Sequence, residues 1–371
     1  MDEIAKARMS QVLHHRKAGL GVGEPVVPVI SVATTFHLPQ VQGAAHVYGR
    51  SGQPTWDAVE AQLAILEAAE VVAFPSGMAA ISAALIACLR AGAKVMIPSD
   101  GYYVTRLLGR DFLAVYGVQV VEVPTAEMPE ADFTGFDVIY IETPSNPGLD
   151  VIDIAAVVAR AHAAGAKVIA DNTTMTPLLQ RPLDLGADLV VAADTKAPAG
   201  HSDALFGHVA GRDAKLMARI REGRRQSGSV PGPFEAYLVH RGIETLELRL
   251  ARMCSSAAVI AERLAGHPAV RGLRYPGRAG DPSHVVAMRQ MVNGGFLIGF
   301  ELASEAEAEA FLAGCPLIAQ ATSFGGVHTA GERRARWGDA VAPGFIRLSV
   351  GIEPTEVLWA GIAAALPGRK A

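Results

Sequence analysis

The chain has 371 residues, half of them hydrophobic and only 19% charged, with a formal net charge of -4. That composition suits a large buried core in more than one domain and excludes a disordered chain. No basic run stands out beyond Arg333-Arg334-Ala335-Arg336, which argues against a nucleic-acid partner, and no stretch reaches the roughly 18 uncharged apolar residues of a membrane span.

Residues 1–49 read as an irregular, extended arm. Met1 to Arg16 lack the apolar core of an export signal, and Pro25, Pro28 and Pro39, with four glycines by Gly43, discourage a helix. From Thr55 the pattern is regular. Trp56–Ala69 predicts an amphipathic helix with Val59, Leu63 and Leu66 on one face, Val71–Phe74 a buried strand, and Ser76–Leu89 an apolar helix opening at Gly77. Strand-like runs follow at Lys94–Ile97, Gln119–Val123, Asp137–Ile141, Lys167–Ala170 and Leu189–Ala192. Helices are expected between them at Thr105–Tyr116 and at Ile154–Ala164, the latter capped by Asp153. Such alternation predicts an α/β fold with a mostly parallel sheet covered on both faces.

The Gly/Pro/Ser-rich stretch Gly223–Pro233 reads as a linker, and Phe234–Gly266 as a long helical region. The remainder predicts a smaller α+β module: a strand at Gly295–Phe300, a helix at Ser304–Ala313, a strand at Phe345–Val350 and a last helix. The domains expected are thus 1–49, 50–233 and 234–371. Three scattered cysteines, Cys88, Cys254 and Cys315, form no CxxC pair and read as thiols of a reducing compartment, so a cytoplasmic location is expected.

In open α/β sheets ligands bind beyond the carboxyl ends of the strands. Those ends deliver Pro75-Ser76-Gly77-Met78, Glu142-Thr143-Pro144-Ser145-Asn146-Pro147, Asp171-Asn172-Thr173-Thr174 and Asp194-Thr195-Lys196. Singly, each has a plain structural explanation: Asp171 as a cap or turn former, Lys196 as a solvated loop lysine, Ser76-Gly77 as an ordinary helix start. Together they suit an anionic, electron-accepting cofactor. The amides opening the helix at Gly77-Met78 can take a phosphate, a carboxylate at Asp171 can keep a pyridine nitrogen protonated, and the Lys196 amine can form an imine with an aldehyde. Competing motifs fail. There is no GxxxxGK[ST], no G-x-S-x-G and no HExxH, the eleven histidines show no metal spacing, and Gly19-Leu20-Gly21-Val22-Gly23 has no preceding strand to make it a dinucleotide fingerprint.

From about Ala33 to Leu366 the chain resembles the cystathionine γ-synthase/γ-lyase family, the Cys/Met-metabolism enzymes that use pyridoxal 5'-phosphate (PLP) and have fold type I. The resemblance rests on Tyr48-Gly49-Arg50-Ser51-Gly52-Gln53-Pro54-Thr55, Ser76-Gly77-Met78-Ala79-Ala80, Asp100-Gly101-Tyr102, Glu142 to Pro147, Asp171-Asn172-Thr173, Thr195-Lys196 and Gly200-His201-Ser202-Asp203. It continues through Tyr275-Pro276-Gly277, Ser323-Phe324-Gly325-Gly326 and Arg347-Leu348-Ser349-Val350-Gly351-Ile352-Glu353, in the family's order and at similar spacing.

The resemblance implies a mostly parallel seven-stranded sheet with helices on both faces and a smaller C-terminal domain. It implies Lys196 as the lysine that binds the cofactor aldehyde and moves protons, Asp171 as the partner of the pyridine nitrogen, and Tyr102 as the ring-stacking tyrosine that can shuttle a proton. Gly77, Met78 and Thr195 match the phosphate cradle, Ser76 is a candidate to replace the phosphate hydrogen bond lost at Ala193, and Asn146 and Ser323 match residues lining cofactor and substrate. Arg347 matches the arginine for the substrate α-carboxylate, a job suited to a planar fork. Tyr48 and Arg50 match residues that reach the phosphate in a neighbouring subunit, implying a homo-oligomer, a tetramer built from shared-site dimers.

Four positions depart from the family's pattern: Ala193 replaces a serine, Ala197 an aromatic residue, Gln53 an asparagine, and His328 a glutamate of the substrate loop. The activity implied is γ-elimination on a sulfur amino acid, foremost cystathionine γ-lyase. Cystathionine γ-synthase, then a β-lyase or methionine γ-lyase, and from another class a non-catalytic PLP-binding protein, are the alternatives.

Overall fold

The apolar runs between residues 70 and 211 are too rich in Val, Ile and Ala to remain in water, and their burial dictates the architecture. A computed structural model describes residues 1–368. It begins with helix α1 (Glu3–His14), capped by Asp2, whose carboxylate accepts from the Ala5 amide at 2.8 Å. This corrects the reading of 1–49 as irregular throughout. Ala5, Met9 and Val12, spaced to share one face, are buried in the same core as Trp56, Val59 and Leu63, so tertiary burial secures a helix whose own sequence is weakly amphipathic. From about residue 20 to 49 the chain is extended, as its prolines require, and leaves Val22, Val26, Val29 and Val32 exposed.

The chain then alternates through α2 (Pro54–Glu67), β1 (Glu70–Phe74), α3 (Gly77–Cys88), β2 (Lys94–Pro98), α4 (Tyr103–Leu107), β3 (Gln119–Val123), β4 (Val138–Glu142) and α5 (Ile154–Ala163). It continues with β5 (Lys167–Asp171), α6 (Thr176–Leu179), β6 (Leu189–Ala192), β7 (Gly207–Gly211) and α7 (Ala214–Ser227). Asp153 caps α5 as expected, accepting from the Ala156 amide at 3.0 Å. The single helix expected over Thr105–Tyr116 is instead α4 followed by a π turn and a 3-10 turn.

Seven strands form one sheet in the order β1-β7-β6-β5-β4-β2-β3, with β7 antiparallel to both neighbours and the others parallel. Alternate residues feed two faces: Val72, Phe74 and Val191 pack with α3 and α7, while Val71, Ala73 and Val190 pack with α2 and the helices beyond. The seventh strand, β7, has no clear signature in the sequence because glycines bound it and His208 interrupts it. Those glycines answer to crowding: a Cβ on Gly207 would lie 2.6 Å from the Ser76 carbonyl oxygen, and one on Gly211 2.7 Å from the Leu189 side chain.

The linker Gly223–Pro233 is shorter than expected: residues 228–232 connect two helices, and 223–227 belong to the first of them. The long polar face of α7 carries it to Ser227, Gly228 closes it in the left-handed conformation (φ 72°), and α8 (Pro233–Ile243) begins at the proline. Helix α9 (Leu246–Ala265) leads to the smaller module: β8 (Arg271–Arg274), α10 (His284–Gln290), β9 (Leu297–Glu301), α11 (Glu305–Gly314), β10 (Ala319–Gln320), β11 (Ala330–Arg333), β12 (Phe345–Ser349) and α12 (Thr355–Ala365). Its five strands order as β10-β11-β12-β9-β8, and its core packs α9, α11 and α12 on the sheet. The last three residues of the expected 234–371 domain lie outside the described residues.

Candidate active site

Strands β1, β2, β4, β5 and β6 run in one direction, so the loops leaving their carboxyl ends meet at one edge. There they enclose a cavity of about 280 Å³ lined by Ser76, Gly77, Met78, Tyr102, Asn146, Asp171, Thr195 and Lys196, and closed from the smaller module by Phe324, Arg334, Trp337 and Arg347. The residues singled out by their motifs are therefore brought together, with three exceptions given below.

At the end of β1, Ser76 caps α3: its hydroxyl oxygen accepts from the Ala79 amide at 3.1 Å, leaving its hydrogen to donate. Among the described residues the amides of Gly77 and Met78 have no protein partner, and both border the cavity. Ala193 is matched to this corner, because a Cβ on Gly77 would lie 2.5 Å from the Ala193 Cβ. Thr195 holds the turn before the lysine, accepting from the Phe206 amide at 3.0 Å and donating to its carbonyl at 3.1 Å.

Asp171 ends β5, buried, accepting from the Thr173 amide and from the Tyr140 hydroxyl, both at 2.9 Å. Its cross-strand neighbour is Glu142, whose carboxylate accepts from the Tyr102 and Asn146 amides at 2.8 Å each and so fixes both loops. Burial, then the charge of Asp171, pushes Glu142 up to about 8. Burial also raises Asp171, against the hydrogen bonds from Thr173 and Tyr140 that favour its charged form.

Lys196 donates to the Ser323 hydroxyl at 3.0 Å, its ammonium 5.0 Å from the Phe324 ring centre. Burial, then the positive charge of Arg347, lowers its pKa to about 8, so the amine gives up its proton far more readily than a free lysine and a minor part of it is neutral near neutral pH. Arg347, from β12, is fully enclosed. It donates to Asn146 Oδ1 at 2.5 Å, the Thr322 carbonyl at 2.9 Å and Glu332 at 3.1 Å, while its Nε is buried with no partner. Burial, then Arg334, lowers Arg347 to about 10. Tyr102 is half-buried against Tyr103, and burial raises its pKa.

Tyr48, Arg50 and His328 do not join this cavity. Tyr48 and Arg50 border a separate surface hollow with Val32, Trp56 and Pro231, where Arg50 donates to the Arg225 carbonyl at 2.8 Å. His328, expected to bind substrate, is exposed outside the cavity. The next residue explains this: the amide and hydroxyl of Thr329 both bond Glu353, at 2.7 and 2.8 Å, and hold the loop away from the site after Gly326.

Sequence reasoning gave no role to Glu142, Tyr140, Arg334, Trp337 or Glu332. Glu142 lay inside a quoted motif, and only its register beside Asp171 exposes its importance. It also missed the support beneath Lys196. Arg249 binds the Ala197 and Pro198 carbonyls at 2.6 and 3.1 Å, and buried His208 bonds Asp194 at 2.8 Å and Glu67 at 3.3 Å. Burial alone would lower His208, but Asp194 and Glu67 outweigh it and raise the pKa to about 10.

Free amides at a helix start, a buried carboxylate and a partly neutral amine fit the phosphate, ring nitrogen and aldehyde of PLP. Among the described residues no cluster of His, Cys, Asp and Glu could hold a metal ion, and no helix is long and apolar enough to cross a membrane.

Comparison with known proteins agrees with that fit. A Streptomyces coelicolor protein with the provisional name cystathionine gamma-lyase is 49% identical over 350 residues, covering 92% of this chain and 89% of that protein. The L-methionine gamma-lyase of Pseudomonas putida is 38% identical, with 96% of each chain covered. A crystal structure of cystathionine gamma-synthase from Xanthomonas oryzae pv. oryzae superposes with a TM-score of 0.91 at 32% identity, covering 98% of both chains. The model of the family described as "Cys/Met metabolism PLP-dependent enzyme" matches residues 10–367, and the chain belongs to that family of PLP-dependent enzymes.

Proposed function

We propose that this enzyme of sulfur amino-acid metabolism cleaves the Cγ–S bond of cystathionine, giving with water cysteine, 2-oxobutanoate and ammonia. The observation that carries the reading is one cavity that joins a partly neutral lysine to a buried arginine with an unpaired Nε. The likeness to the Streptomyces coelicolor protein supports the choice of substrate.

When bound, PLP supplies an aldehyde to capture the substrate amine and a ring that accepts carbanion electrons. In this reading Gly77 and Met78, with Ser76, hold the phosphate, joined by Thr195 once its hydroxyl turns from the Phe206 carbonyl to donate, and Asp171 holds the ring nitrogen protonated. Arg347, aligned by Asn146, takes the α-carboxylate. Lys196, returned to a free amine, removes the Cα proton, hands it on to the cofactor carbon that had carried the aldehyde and, neutral again, removes a Cβ proton, its lowered pKa easing each return to the free amine. The Tyr102 hydroxyl, whose raised pKa keeps its proton in place, delivers that proton to the departing sulfur.

Tyr48 and Arg50, stranded beside a row of exposed valines, complete the phosphate site of a second subunit in a shared-site dimer, two of which make the tetramer. The unpaired Cys88, Cys254 and Cys315 accord with a cytoplasmic enzyme.

The same residues serve γ-replacement, the reading favoured by the likeness to the Xanthomonas oryzae synthase. Incubation with cystathionine, and identification of the oxo acid released, tests the proposal. 2-Oxobutanoate supports it, pyruvate points to β-cleavage, and cystathionine formed only from an O-acylhomoserine plus cysteine sinks it in favour of a synthase.

A further inference from the structure

A second arginine borders the cavity. Arg334 and Arg347 are bound to the same carboxylate oxygen, Glu332 Oε2, at 2.7 and 3.1 Å. The other oxygen of Glu332 accepts from the Trp337 indole at 2.5 Å and lies 3.6 Å from Arg336. Asp339 takes Nε and Nη2 of Arg334 at 2.8 and 2.6 Å and faces Arg106 at 3.8 Å. Four guanidinium groups thus meet two carboxylates in a network whose centre, Glu332, Arg334, Asp339 and Arg347, has side chains at most 5% exposed.

A buried unmatched cation is costly, and the centre is accordingly balanced, two guanidinium groups to two carboxylates, with Arg106 and Arg336 adding positive charge at its more exposed rim. An ion-pair cluster that served stability alone would be closed off, whereas this one opens on a cavity. The substrate α-carboxylate answers the charge at Arg347. Arg334 spends three of its five N–H groups on Glu332 and Asp339, leaving two, and the residue lines the cavity together with Trp337. Its positive charge still reaches the site, since it contributes to the lowered pKa of both Lys196 and Arg347.

We propose that Arg334 is the specificity-determining residue of this cavity: it takes a second carboxylate, at the far end of the substrate side chain, so that a thioether joining two amino-acid heads is preferred to one ending in a methyl group. The inference rests on the carbon–sulfur cleavage proposed above and names its substrate class. Two forks sharing one carboxylate and facing one cavity offer two anion-binding ends to a single small molecule.

The test uses PLP-loaded enzyme with cystathionine and methionine as probes. Binding of each is followed by the change in cofactor absorbance, and kcat/KM is measured beside it. Arg334→Met should weaken cystathionine by about 10- to 100-fold, the worth of a charged hydrogen bond, and methionine by no more than about threefold. Because this variant strands two buried acids, Arg334→Met with Asp339→Asn removes one charge of each sign and should show the same split, while Arg334→Lys should fall between. Equal weakening of both amino acids would mean that Arg334 only supports Arg347, and the proposal is then wrong. If the wild type binds cystathionine but releases no oxo acid, the cleavage reading fails while the binding ratio still judges Arg334.

Discussion

Replacing Lys196 by methionine should stabilise the cofactor-free chain, because the amine is held where an ammonium is unwelcome. Burial and the neighbouring Arg347 bring its pKa from 10.5 to about 8. At ~1.4 kcal/mol per pH unit that gap is about 3 kcal/mol of strain at neutral pH. Methionine forfeits the hydrogen bond to Ser323 and the contact with the Phe324 ring, together worth about 1 kcal/mol. The expected net gain is about 2 kcal/mol at pH 7.

The pH dependence is the sharper signature. Below pH 8 both folded and unfolded wild-type chains carry the proton, and the penalty is complete. Between about 8 and 10.5 the unfolded chain binds more protons than the folded one, so wild-type stability gains with rising pH relative to the variant. Above 10.5 the penalty is gone. Guanidinium denaturation of both cofactor-free proteins, at equal protein concentration from neutral pH to above 10.5, measures the difference. A variant no more stable than wild type at pH 7, or a difference that does not shrink with pH, would refute the reasoning.

Arg347→Ala should weaken α-amino-acid binding by about 2–5 kcal/mol, since it also leaves the Asn146 side-chain oxygen without its donor and removes one of the donors to Glu332; an unchanged KM counts against the role. His208→Leu should cost about 3–5 kcal/mol in thermal or denaturant unfolding, because Asp194 and Glu67 stay buried without their cation. A loss below about 1 kcal/mol would show that the three groups are not charged as described. Mixing inactive Lys196→Ala and Arg50→Ala subunits should restore activity in hybrid oligomers, and no recovery would remove the shared phosphate site.

The strand-end residues were legible because their neighbourhood is set by chain direction. In a parallel sheet every carboxyl end faces the same edge, so the order of local motifs already groups Gly77, Asp171 and Lys196. Helix starts at Asp153 and Ser304 were equally local, each an oxygen placed three residues ahead of the amide it caps. By contrast, α1 was hidden behind the prolines that follow it, and β7 behind glycines whose purpose is close contact with Ser76 and Leu189, far away in sequence.

What the amino-acid order determined alone is the sheet's rhythm, the family's motifs and the chemistry of a lysine, an aspartate and a phosphate-binding helix start. What tertiary structure decided is which groups act on them. Tyr140 meets Asp171 across two strands, Glu332 ties Arg347 to Arg334 and Trp337, and His328 is turned away by Thr329 and Glu353. The physical reason is range: periodicity and capping act over three or four residues, whereas a side chain's field and its pKa depend on neighbours that only the folded chain brings near.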